Sequence, residues 1–237
     1  MIDRERRYWQ IPEIWPGGEC FILGGGPSVA AVSVSGLQGR RVIAVNQSHK
    51  IAPFAEVCFF ADCSWWHRFG ERELLGFSGL KVTTCIKLLG VKGVKVCRKQ
   101  TSPAGLVFGG GALSWNRSSG ACAINLAVAL GAKRIVLLGF DMRDVGERSH
   151  WHDDYAPIQQ KVLRLVGRAR KVEAPYSKFL ISFAAIARDA ERRRIEIVNA
   201  TPGSAIREFP IVDPGILLQR APPVDKDIGV VGSDPCV

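Results

Sequence analysis

The chain has 237 residues, 47% of them hydrophobic, and a formal net charge of +10. That length suits one large α/β domain, or a domain with a tail, and the apolar content excludes wholesale disorder. The longest apolar stretch, 121–139, is interrupted by Lys133 and Arg134, so it reads as two buried elements and not as a membrane span. Residues 1–7 lack the apolar region of a secretory signal.

Residues 1–18 are polar and aromatic, contain Pro12 and Pro16, and read as a lead-in segment. An apolar run at 19–24 reads as a strand that enters Gly24-Gly25-Gly26-Pro27-Ser28 and then a short helix. Strands are expected at 41–46 and 56–61, with a short helix or turn over 47–54 between them. A helical stretch at 64–75, a strand at 80–86 and a short element at 94–97 follow. Residues 99–118, rich in Gly, Ser and basic side chains, read as a mobile loop or small insertion over a crevice.

Ser118-Ser119-Gly120 opens a helix whose body, 121–130, is apolar almost all round and therefore buried on most faces. Gly131 is its expected stop, and a strand follows at 134–140. Helices are expected at 157–171 and 177–192. In the second, Phe179, Leu180, Phe183, Ile186, Ala187 and Ala190 form one apolar stripe. A last strand falls at 195–198, and from Pro210 onward frequent Pro, Gly and Asp suggest an arm or tail over 210–237. Strands alternating with helices over 19–209 indicate an α/β fold. The expected form is a Rossmann-like, doubly wound, mostly parallel sheet with helices on both faces.

The seven cysteines include no CxxC pair. Cys20, Cys58, Cys85, Cys97 and Cys122 lie in or beside apolar runs, which reads as reduced, buried thiols in a cytosolic protein. The basic excess is concentrated in 161–194, where ten Lys/Arg face three Asp/Glu. Lys161, Arg164, Arg168 and Lys171 share one helical face. This is either a solvated surface or a contact for polyanions, nucleic acid included.

Small polar residues fall at strand ends, where open α/β sheets bind ligands. The turn from Gly24 to Ser28 either cradles a phosphate on its amides or is simply a tight strand-to-helix turn; Val29 stands where a strict dinucleotide fingerprint has its third glycine. Ser118, Ser119 and Gly120, with Arg117 alongside, make a helix start and a second candidate anion cradle. Asp141 ends a strand and is followed by His150, His152, Asp153 and Asp154, a cluster suited to a general base or a divalent ion. Asp62, beside Trp65, Trp66 and His67, reads as a ribose contact or as a helix cap.

FILGGGPSV (21–29), VIAVN (42–46), the strand ending at Asp62, SSGACAINLAVALGAKRIVLLGFDM (118–142) and VNATPGS (198–204) occur here in one order. That ordered set resembles the superfamily joining archaeal 6-hydroxymethyl-dihydropterin pyrophosphokinase-like proteins with bacterial lipooligosaccharide sialyltransferases, which also has small members in phage genomes. The resemblance covers about residues 19–205 and implies a cytoplasmic nucleotide-dependent transferase, in a bacterial host if the gene is phage-borne. The donor would be a CMP-sugar or, with Mg2+, ATP. It places the donor on Gly24, Gly26, Pro27, Ser28, Asn46, Ser119 and Gly120, with Gly25 in the same turn; read from its strand-end position, Asp62 would contact sugar or base. Asp141, with His150 or His152, would then deprotonate the acceptor or hold the metal. The family often has Asn where Gly25 stands, and a late histidine that is missing around 174–177. The alternatives are a nucleic-acid-associated phage protein and a non-catalytic assembly subunit.

Overall fold

The structure, a computed structural model, describes residues 7–109, 111–155 and 176–219. Seven strands form one sheet in which every pairing is parallel: β1 (Glu19–Leu23), β2 (Val42–Val45), β3 (Val57–Phe60), β4 (Leu80–Thr83), β5 (Val94–Val96), β8 (Arg134–Leu138) and β9 (Glu196–Asn199). Their order is β5-β4-β3-β2-β1-β8-β9. The chain therefore runs outward from β1 in one direction, then returns to β1's other side with β8. The topological switch point lies between β1 and β8, and the crevice beyond their carboxyl ends is the expected ligand position.

Alternation along the strands builds two cores. Cys20 and Ile22 of β1, Ile43 of β2, Phe59 of β3 and Ile135 and Leu137 of β8 face one layer. Phe21, Leu23, Ala44, Phe60, Val136 and Leu138 face the other. Strands buried on both faces read as continuous apolar runs, which is why the sequence signals them clearly. The first layer is covered by α1 (Ser119–Ala129) and α2 (Tyr176–Arg192). In α1 every residue from Ala121 to Leu126 is fully buried, whereas α2 buries only the stripe through Phe183, Ile186 and Ala190.

Three expectations change. The 99–118 segment contains a second, two-stranded parallel sheet of β6 (Arg98–Gln100) and β7 (Ala112–Ser114). Two buried amides pin it: Asn116 Oδ1 accepts from Gly105 N at 2.8 Å, and Asn125 Oδ1 accepts from Val107 N at 3.0 Å and Ser114 N at 2.9 Å. Cys63 and Cys85 are joined as a disulfide with Cα atoms 5.7 Å apart, correcting the expectation of a reduced Cys85. Each follows the end of one of two adjacent strands, β3 and β4, so pairing of the strands brings the cysteines together. Cys20, Cys58, Cys97 and Cys122 are free and buried. Finally, residues 210–219 are no detached arm. Ile211 bridges Asn199, and helix α3 (Pro214–Leu218) buries Leu217.

The lead-in also packs onto the domain, with Trp15 buried and its indole N–H donating to Glu56 Oε2 at 2.9 Å. The strand expected at 80–86 ends at Thr83, and a 3-10 turn takes over at Ile86–Leu88. The helix expected at 157–171, with Lys161, Arg164, Arg168 and Lys171, lies outside the described residues. Among the described residues no helix is long and apolar enough to cross a membrane.

Ile124, fully buried in α1, is the core's test position. Ile124→Ala is expected to lower unfolding free energy by about 2–5 kcal/mol, measured by urea denaturation.

Candidate functional site

The backbones of β1 and β8 touch where the two strands end. Gly24 N donates to Leu138 O at 2.7 Å and Gly26 N to Gly139 O at 2.8 Å. A Cβ at Gly24 would lie 2.6 Å from Gly139 O, and one at Gly26 1.9 Å from Asp141 Oδ2. Side chains are thus excluded here by contact, whatever the turn binds.

Beyond this contact lies a cavity of about 400 Å3. Gly24, Gly25 and Gly26 line it after β1, Asn46 after β2, Asp62 after β3, and Asp141 after β8. Ser118, Ser119 and Gly120 line it from the N-terminus of α1, and His150 and His152 from the loop that follows β8. The two expected cradles therefore open on one cavity, with the Phe140 ring between them: a Cβ at Gly24 would come within 3.1 Å of that ring and one at Gly120 within 2.9 Å.

The first cradle is already taken. Pro27 opens a 3-10 turn (Pro27–Ala31), and Ser28 donates its N–H at 3.4 Å and its Oγ–H at 2.8 Å to Asp141 Oδ2. Neither Pro27 nor Ser28 is among the residues lining the cavity. Burial pushes the Asp141 carboxyl up, against the Ser28 hydrogen bonds that hold it down. Asp141 is braced from behind by the VNATPGS segment. Thr201 Oγ1 accepts from Phe140 N at 3.0 Å, Ser204 Oγ donates to Phe140 O at 2.6 Å, and Ala205 N donates to Asp141 O at 2.8 Å.

The second cradle is open. Ser118 caps α1, its Oγ accepting from Ala121 N at 3.1 Å. Ser119 and Gly120 present the helix's first turn to the cavity, where amides have no intrahelical partner and the dipole favours an anion. Arg117, exposed and in a left-handed conformation (φ 59°), stands beside them.

His150 packs over the bare Gly25, where a Cβ would sit 3.3 Å from its Cδ2, and Trp151 N donates to Gly25 O at 3.2 Å. His150 Nδ1 is 3.0 Å from Ser149 Oγ. Burial lowers the pKa of His150, and lowers that of His152 to about 4. Both are neutral at pH 7. The hydrogen bonding fixes the tautomer of His152. Asp154 N donates to His152 Nδ1 at 3.3 Å, which puts the remaining proton of a neutral ring on Nε2. His152 thus offers the cavity a donor. Asp154 itself is held by Lys50 Nζ at 2.7 Å and by Gln47.

Asp62 occupies an N-cap position, yet its side chain makes no capping hydrogen bond and stays exposed to the cavity. Trp65 and Trp66 are core residues packed on Phe60, with ring centroids 5.0 and 5.4 Å away. Asn46 is left-handed (φ 53°), and its buried Oδ1 has no hydrogen-bond partner. Among the described residues no three His, Cys, Asp or Glu side chains converge as a metal ligand set. Asp62 and Asp141 are the carboxylates that line the cavity, and Asp141 Oδ2 is already bonded to Ser28. Tyr155, Tyr176, Phe179 and Gln47 also line the cavity and escaped the sequence reading. Tyr155, one of only three tyrosines and directly after the His/Asp cluster, carried the one usable signal.

No family model matches the sequence, and no curated protein matches it. Solved structures do. A complex of the sialyltransferase CstII from Campylobacter jejuni with cytidine-5'-monophosphate is similar at 13% identity and TM-score 0.51, over 82% of this chain and 84% of that one. The MAf glycosyltransferase from Magnetospirillum magneticum AMB-1 is similar at 13% identity and TM-score 0.57, over 88% of this chain. The match spans only 35% of the Magnetospirillum protein. These likenesses establish the α/β, Rossmann-like fold.

Asp141 yields a pH-dependent prediction. Its folded pKa is raised, so its ionised form costs stability at neutral pH and its protonated form does not. Asp141→Asn is expected to be more stable relative to wild type at pH 8 than at pH 4, where the difference shrinks. Paired thermal melts at the two pH values measure this.

Proposed function

We propose that the protein is a glycosyltransferase that takes a sugar from a cytidine nucleotide donor and passes it to a hydroxyl acceptor. The observation that carries this reading is the convergence of three things in one cavity at the switch point: an open helix N-terminus, an unsatisfied strand-end amide, and a neutral histidine. The likeness to a sialyltransferase crystallised with cytidine monophosphate supports the choice of donor.

The donor's phosphate lies on Ser119 and Gly120 with Arg117 beside it, and its sugar faces Asn46 and Asp62. We assign the proton of the neutral His150 ring to Nδ1, facing Ser149 Oγ 3.0 Å away, which leaves the Nε2 lone pair free. The acceptor hydroxyl gives its proton to Nε2 as its oxygen bonds to the anomeric carbon. The bond from that carbon to the phosphate oxygen breaks, and the nucleotide monophosphate leaves with the electron pair. The α1 amides and Arg117 stabilise the charge that develops on it. His152 holds its Nε2–H toward the cavity as a positioning donor. Asp141 shapes the turn.

Isothermal titration is expected to show saturable binding of CMP that persists in EDTA, and about tenfold weaker binding to Arg117→Ala. Silence across CMP, CTP, ADP and ATP removes the proposal. A second test concerns His150. Since its pKa is lowered, the donor-consumption rate rises with pH along an acid limb centred below the ordinary histidine value of 6.5. His150→Gln loses roughly 100- to 10,000-fold in that rate together with the limb.

A further inference from the structure

A second cavity of about 290 Å3 adjoins the first and shares Asn46, Asp62 and Tyr155 with it. Its remaining lining is Ser64, Trp65, Arg68 and Phe69, none of which touches the first cavity. The wall is unusual. Residues 63–73 begin and end as α-helix, but Trp66–Gly70 is a π turn, a local form that is rare and concentrated at functional sites. Gly70 admits it, because a Cβ there would lie 2.7 Å from the Trp65 ring. The disulfide at Cys63 anchors the start of the same segment to the end of β4.

The chemistry of the lining is specific. Phe69 lies between Trp65 and Tyr155, with centroids 6.4 and 5.8 Å away at tilts of 47° and 56°, so the aromatic rings form a continuous curved face. Around this face stand the Asp62 carboxylate, which makes no capping bond, the unpartnered Asn46 Oδ1, the Ser64 hydroxyl and the exposed Arg68 guanidinium. Apolar rings against one side of a ligand and hydrogen-bonding groups at its edges suit a pyranose, whose C–H faces stack while its equatorial hydroxyls seek polar partners.

We infer that this second cavity holds the terminal sugar of a glycan acceptor, with Phe69 as its stacking platform and Arg68 and Ser64 gripping its hydroxyls. The inference rests on the glycosyltransferase reading for the word acceptor, but the sugar site stands or falls separately. The two cavities meet at Asn46, Asp62 and Tyr155, so an acceptor hydroxyl projecting from the second cavity reaches the first beside the donor.

The test is saturation-transfer-difference NMR on the full chain, with a panel of methyl α- and β-glycosides of glucose, galactose, mannose and N-acetylglucosamine. Each is measured with and without saturating CMP. At least one glycoside is expected to show strong transfer to its ring C–H protons. Phe69→Ala and Arg68→Gln are expected to weaken its binding by roughly tenfold. Both variants should keep CMP affinity, measured by calorimetry, within about twofold of wild type, because neither residue lines the nucleotide cavity. That retained CMP binding also reports that the variants are folded. Transfer that survives unchanged in both variants overturns the inference, and so does an absence of transfer from the whole panel. Failure of CMP binding with a glycoside signal that depends on Phe69 overturns the donor reading instead and leaves the sugar site intact.

Discussion

Everything at the functional end of this protein depends on how closely β1 and β8 approach one another. The two strands are adjacent in the sheet but far apart in sequence, and beyond their last residues the chain departs to opposite sides. The backbones stay in contact for two further residues because Gly24, Gly26 and Gly139 carry no side chain, and Gly139 adopts φ 71°. A methyl group at position 26 would overlap both the Gly139 carbonyl and the Asp141 carboxylate. That narrow junction fixes the floor of the crevice and the direction in which Phe140 and Asp141 leave the sheet. Buried hydroxyls of Thr201 and Ser204 complete it by satisfying the Phe140 amide and carbonyl, which otherwise face no partner in the turn. The VNATPGS segment is therefore a brace for the β8 turn, with no direct place on the cavity wall.

The same junction redistributes roles among the polar residues. An anion belongs at the Ser28 amide, and the protein supplies its own in Asp141. The other helix start, at Ser119 and Gly120, has no such carboxylate and stays open to the cavity. Gly25 matters for what it leaves empty. In the resembling family an asparagine side chain often fills this position; here the His150 ring occupies the space, and the loop carrying it is fastened to the Gly25 carbonyl.

How much of this was legible beforehand follows from the range of each interaction. The parallel sheet was readable because strands buried on both faces leave long apolar runs, and the strand-end residues Asn46, Asp62 and Asp141 were readable because they terminate those runs. The β6–β7 sheet was not. Its strands are three residues each, and what holds them is the long-range bonding of Asn116 and Asn125, which in the sequence look like any polar residue in a loop and in a helix. Cys63 and Cys85 resemble buried thiols until β3 and β4 are known to be neighbours. Ser28 looked like a phosphate ligand because the Gly-Pro-Ser turn carries no sign that a carboxylate 113 residues away completes it. Tyr176 and Phe179 reach the cavity from α2, whose apolar stripe says only that one face is covered.

The histidine loop shows what this arrangement costs. His150, Trp151, His152 and Tyr155 pack edge to face, with His150 and His152 each within 5 Å of the Tyr155 ring. Enclosure of this kind withholds water from the imidazoles and favours their neutral forms, the state a base or a directional donor needs at neutral pH. It also links the loop to pH. A histidine whose pKa falls on folding contributes stability that is complete above its unfolded value, near 6.5, and is lost as the pH drops through its folded value, about 4 for His152. Part of that enclosure is built from charges: Asp154 sits between Lys50 and His152, and Lys50 is tied in turn to Glu73 at 3.1 Å. Acid would therefore protonate the rings first; the Asp154 carboxylate, which Lys50 and Gln47 hold below its ordinary value against the effect of burial, gives up its ion pairs only at lower pH.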